Sequence, residues 1–97
     1  MQIKQTAMAG TLESSDIQIT LTPITKETEI YLDSSVGKQF GSQIKQVLLK
    51  TLASYQIENV RVDAVDRGAL DCTIQARMQT VIQRSLDQVN QVNWEVL

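Results

Sequence analysis

Phe40, Ile44, Val47, Leu48, Leu52 and Tyr55 fall at helical spacing, so a helix through this stretch gathers its large apolar side chains on one stripe. Lys38, Gln39, Gln43, Lys45, Gln46 and Lys50 take the opposite, wet side. A helix of this length is marginal alone in water, because its stability comes mainly from packing an apolar face. The stripe therefore demands a second apolar surface from the rest of the chain. Ser34 and Ser35 precede it with side-chain oxygens that can accept from first-turn N–H groups, and the helix is predicted over 37–55.

Strands are the natural cover. Ile17, Ile19 and Leu21 alternate with Gln18, Thr20 and Thr22, the period of a half-buried strand, and Pro23 should end it because it cannot donate to a ladder. Ile30 and Leu32 alternate with Glu29, Tyr31 and Asp33, which predicts a hairpin turning through Thr25-Lys26-Glu27. Val60 and Val62, then Leu70, Cys72 and Ile74, read as a second hairpin around Asp66-Arg67-Gly68, with Gly68 supplying positive φ. From Ile74 the period changes to that of a helix: Met78, Val81, Ile82 and Leu86 share its face, giving a second helix over about 75–87. The expected class is α+β: an antiparallel sheet of two hairpins in ββαββα order, two amphipathic helices packed on one face, and an N-terminal extended arm over 7–12. Residues 1–97 are expected to form a single domain, with 88–97 a polar tail whose large aromatic is Trp94.

Composition narrows the chemistry. Nine Lys and Arg against eleven Asp and Glu give a formal charge of −2, which provides no basic field for nucleic acid. The chain has no histidine, so it lacks the commonest general base and metal ligand. Its single cysteine cannot close an internal disulfide and suits a reducing cytoplasm. No apolar run reaches the roughly 20 residues of a membrane span. No catalytic residue and no metal site are expected.

Three serine segments compete as sites. Gly10-Thr11-Leu12-Glu13-Ser14-Ser15-Asp16 reads by pattern as a polar turn, or as a functional loop. Asp33-Ser34-Ser35-Val36 superficially resembles the Asp-Ser-Leu attachment site of phosphopantetheine carriers, but helix capping explains it fully. Ser85 reads as part of a solvated helix face. Cys72 should lie on the apolar side of its strand, and Glu27, Glu29, Asp63, Asp66 and Asp71 on solvated faces and turns.

Ala7-Met8-Ala9-Gly10-Thr11-Leu12-Glu13-Ser14-Ser15-Asp16, Gly68-Ala69-Leu70-Asp71-Cys72 and Trp94-Glu95 resemble the acyl carrier protein of citrate lyase, its gamma subunit, and the similarity runs over nearly the whole chain. The malonate decarboxylase carrier is the related alternative; a small α+β interaction domain without a covalent group is the reading from another class. The resemblance implies a covalent 2′-(5″-phosphoribosyl)-3′-dephospho-coenzyme A on the serine after Glu in Gly-Thr-Leu-Glu-Ser-x-Asp, here Ser14, with Ser15 at the variable place. It also implies a non-catalytic subunit of a cytoplasmic complex, with an alpha acyltransferase and a beta citryl thioester lyase as partners. A prosthetic-group transferase and an acetylating ligase would act on it. In the implied cycle the thiol holds acetyl, exchanges it for citryl with release of acetate, and regains acetyl when oxaloacetate leaves. Glu13 and Asp16 are expected to stay solvated or to face the transferase rather than bind phosphate. The tail with Trp94 is expected to dock on the larger subunits or to pack back on the domain.

Overall fold

The computed structural model describes residues 2–34 and 38–86. Its elements are β1 (Ala7–Gly10), β2 (Ile17–Pro23), β3 (Glu29–Ser34), α1 (Lys38–Ser54), β4 (Val60–Asp66) and α2 (Asp71–Ser85). The four strands form one sheet in the order β1-β2-β4-β3. Both helices cover the same face of it, which is the α+β architecture that the sequence predicts.

Alternation builds that face. Ile17, Ile19 and Leu21 of β2 are fully buried, and their partners across the antiparallel β2–β4 ladder are Asp66, Ala64 and Val62. Ile30 and Leu32 of β3 sit beside Val62 and Ala64 in turn. Ile44, Leu48 and Leu52 of α1 and Ile74, Met78, Val81 and Ile82 of α2 close the core above them. On the opposite face Arg61 lies 4.6 Å over the Tyr31 ring while pairing with Asp63 at 3.1 Å.

The strand pairing differs from two hairpins. β2 and β3 are not neighbours, because β4 lies between them, antiparallel to β2 and parallel to β3. The chain leaves Pro23 through the short link Ile24–Thr28, which wraps the start of β4: Ile24 N–H donates to the Asn59 carbonyl at 3.0 Å, and Asn59 Nδ2 donates to the Lys26 carbonyl at 2.8 Å. Helix α1 then carries the chain back so that β4 enters parallel to β3, as a crossover helix allows and a tight turn does not.

No second hairpin forms. β4 runs on to Asp66, and α2 begins at Asp71, about four residues earlier than its predicted start. Leu70 and Ile74 are spaced by four as well as lying on an alternating run, so the short stretch fits both periods, and helix wins. Leu70 precedes the first turn at 70% exposure, and Cys72 is exposed rather than buried. The extended N-terminal arm is in part the edge strand β1, whose small residues Ala7 and Ala9 let α2 approach closely. Ser85 is fully buried, not solvated, and its carbonyl accepts the Lys4 and Gln5 N–H groups at 2.9 and 3.2 Å. Ser35, Val36 and the tail with Trp94 lie outside the described residues.

Candidate functional site

Thr11 to Asp16 connects β1 to β2, so the Glu-Ser-Ser-Asp run is the head of a hairpin. Asp16 N–H donates to the Glu13 carbonyl at 3.2 Å, closing a turn with Ser14 and Ser15 at its centre. Ser15 has φ 65° and Ser14 is not in the left-handed region, which is the pattern of a type II turn. Both serines are exposed. Glycine adopts that φ without a Cβ penalty, so Ser15→Gly is expected to raise stability by up to about 1 kcal/mol, read as a higher melting temperature, and Ser15→Val to lower it.

Each foot of the loop is pinned. Gly10, at φ 90°, lets the first foot pass close to the Ile17 carbonyl. At the other foot, Ser15 N–H donates to the Arg67 carbonyl at 2.7 Å, and Arg67 N–H donates to the Asp16 carbonyl at 2.9 Å. The turn that follows β4 therefore lies directly against the two residues after Ser14.

Asp16 is the fastener. It is 9% exposed, so the expectation that it stays solvated is corrected. Its Oδ1 accepts Ile17 N–H at 2.7 Å and Arg77 Nε at 3.0 Å; its Oδ2 accepts the Thr11 hydroxyl at 2.6 Å and Arg77 Nη2 at 3.0 Å. The Arg77 fork from α2 and then the Thr11 hydroxyl hold the Asp16 carboxyl well below the usual carboxylate range, and the same bonds raise the Arg77 guanidinium. A depressed carboxyl contributes stability above its unfolded pKa, near 4, and loses it as pH falls toward its folded value. The Arg77 side chain is 42% exposed, which moderates the strength of the pair. Asp16→Asn is thus expected to cost about 1–2 kcal/mol at pH 7. In urea titrations the gap from the wild type should shrink below about pH 4; a gap unchanged down to pH 2 would contradict this role for the carboxylate.

Ser14 differs from its neighbours. Its hydroxyl makes no hydrogen bond among the described residues, and it stands at the tip of the turn. Glu13 is exposed beside it, as expected. Ser34 ends β3, and its hydroxyl donates to Asp66 Oδ2 at 2.9 Å. Asp66 also accepts Ala69 N–H at 3.0 Å and is fully buried, so it is not a solvated turn residue. The residues that sequence reasoning misses as loop anchors are Arg67, in the turn after β4, and Arg77, on α2. Arg77 lies 61 residues from Asp16, and no local pattern links them.

The chain can be placed among known proteins. The profile of a family described as Malonate decarboxylase delta subunit (MdcD) matches residues 4–85. The citrate lyase acyl carrier protein of Oenococcus oeni is 56% identical over the full length of both chains. That of Lacticaseibacillus casei is 58% identical over 98% of this chain and 93% of the relative. A solved chain from a Pseudomonas malonate decarboxylase hetero-tetramer in complex with malonate superposes with a TM-score of 0.70 over 84% of each chain, at 20% identity, which shows a shared fold.

Proposed function

Because this chain belongs to the citrate lyase acyl carrier proteins, we propose that Ser14 is where its prosthetic group is attached. We further propose that the group is 2′-(5″-phosphoribosyl)-3′-dephospho-coenzyme A, joined to Ser14 Oγ by a phosphodiester. When bound, that group supplies the thiol on which acetyl and citryl units travel.

One observation carries the reading: an exposed hydroxyl with no hydrogen bond among the described residues, at the tip of a turn whose two feet are pinned. The two properties serve different needs. A modifying enzyme must reach the serine oxygen without breaking a native bond. The loop must also come to the enzyme in one shape, so that little ordering entropy is spent on binding. Asp16 and Thr11 supply the shape, through Arg77, and leave Ser14 outside the network.

The residues present fit the group. Ser14 Oγ has no hydrogen bond among the described residues, and Arg67, whose main chain is bonded to the turn, has no carboxylate partner for its guanidinium among them. Catalysis is assigned to other subunits, an alpha acyltransferase and a beta citryl thioester lyase, which this chain would serve in a cytoplasmic hetero-oligomer. The absence of histidine from the chain supports that division of labour. No helix of the described residues is long and apolar enough to cross a membrane. Tethering the thiol to a carrier seated in the complex raises its local concentration at the partner subunits to roughly millimolar, which makes each transfer effectively intramolecular.

A malonate decarboxylase carrier shares the fold, but 58% identity to a citrate lyase carrier against 20% to the malonate decarboxylase chain favours citrate. Intact mass of the protein purified from its host during growth on citrate tests the reading. The expected result is one added group per chain, and the bare polypeptide mass would overturn it.

A further inference from the structure

We infer that Arg67 is a phosphate-binding residue for the arm on Ser14, engaging the anionic phosphates nearest the attachment point. This rests on Ser14 being the attachment residue, and it concerns what the chain does with the group once it is there.

The main chain of Arg67 is tied to both residues that follow Ser14, through the Ser15 N–H at 2.7 Å and the Asp16 carbonyl at 2.9 Å. Wherever the turn goes, Arg67 goes with it. Its charge is also uncommitted. Arg77 spends its fork on Asp16, and Arg84 Nη1 donates to the Met8 carbonyl at 2.8 Å. Asp66, the carboxylate adjacent to Arg67 in sequence, is turned inward to the Ser34 hydroxyl and the Ala69 N–H. The one side-chain hydrogen bond of Arg67 among the described residues runs from Nη1 to the Asp66 carbonyl, at 3.3 Å.

A guanidinium carries five N–H donors, and it prefers paired oxygens such as those of a phosphate. Esterification of Ser14 places such oxygens on the residue directly before Ser15, whose N–H donates to the Arg67 carbonyl. Glu13, exposed on the same turn, repels them, so the phosphates are drawn to the Arg67 side. The consequence is directional. The first part of the arm lies along the turn after β4, and its distal thiol remains free to move.

The experiment compares apo protein with protein carrying the group, with mass spectrometry establishing the modified serine. Hydrogen exchange at Arg67 Nε, followed by NMR, is expected to slow about tenfold on modification, the effect of a charge-assisted hydrogen bond. In Arg67→Gln the phosphorus resonance of the serine-linked phosphate should move toward that of the free group, and Arg67→Lys should restore part of the shift. Both ties to the loop are main-chain bonds, so the variants keep the turn. An Arg67 Nε unchanged by a group shown to be on Ser14 would overturn the inference while leaving the attachment reading intact. A bare Ser14 would refute the attachment reading and this one together.

Discussion

Ser14→Ala is expected to remain at its unmodified mass in cells where the wild type acquires the group, and citrate cleavage by the complex should fall to background. The expectation is all-or-none because, on the proposed attachment, the substitution removes the one oxygen that would be esterified and little else. Ser14 makes no hydrogen bond among the described residues, so alanine leaves the Asp16–Arg77–Thr11 fastener in place and the melting temperature within about 1 °C. Without the proposed tether the complex would lose its covalently held thiol. Cys72 cannot replace it, since it lies in the first turn of α2 and not on the hairpin head. Ser15→Ala is the control. It keeps the residue count and the main-chain bond to Arg67, and it should still be modified. Modification of Ser14→Ala, or loss of modification in a folded Ser15→Ala, would move the assignment by one residue.

Gly10→Ala is expected to be strongly destabilising. A Cβ at Gly10 would lie 1.8 Å from the Ile17 carbonyl oxygen and 2.9 Å from its carbon, at a φ of 90°. Both obstacles are main chain of the core strand β2, so no side chain can rotate away. The hairpin must open at the foot of the Ser14 loop, at a cost of about 4 kcal/mol or more, against total stabilities of about 5–15 kcal/mol for domains of this kind. For a chain of this size that corresponds to a fall in melting temperature of at least about 15 °C. Gly41→Ala provides the contrast. Its Cβ would meet Leu32 Cδ2 at 3.9 Å, an ordinary contact, and alanine favours the helix, so that variant should be as stable as the wild type or more so. A Gly10→Ala protein melting with the wild type would contradict the close approach of the two strands.

The parts of the fold legible in the linear chain are those whose pattern repeats often enough to exclude other periods. Ile44, Leu48 and Leu52 span several turns and fix α1; Ile17, Ile19 and Leu21 fix β2 and its buried face. Leu70 to Ile74 is too short for that, since spacing by two and by four coincide at its ends. The parallel pairing of β3 with β4 has no local signature, because it depends on where α1 returns the chain. Asp16 and Asp66 are misleading for a different reason. Acidic residues beside Ser, Arg or Gly suit a solvated turn, and what buries these two are partners distant in sequence: Arg77 for Asp16 and Ser34 for Asp66. Ser14 itself is reached through the Gly-Thr-Leu-Glu-Ser-x-Asp resemblance. Geometry adds the distinction from Ser15, whose φ of 65° and bond to Arg67 give it a structural task.

Attachment at Ser14 is tested most directly by digesting protein from citrate-grown host cells with trypsin and fragmenting the peptide 5–26, which lies between Lys4 and Lys26 and carries both serines. Fragment ions that place one whole prosthetic group on Ser14, with Ser15 unmodified, are the predicted result. An unmodified peptide, or a group carried on Ser15 or any other residue, would contradict it.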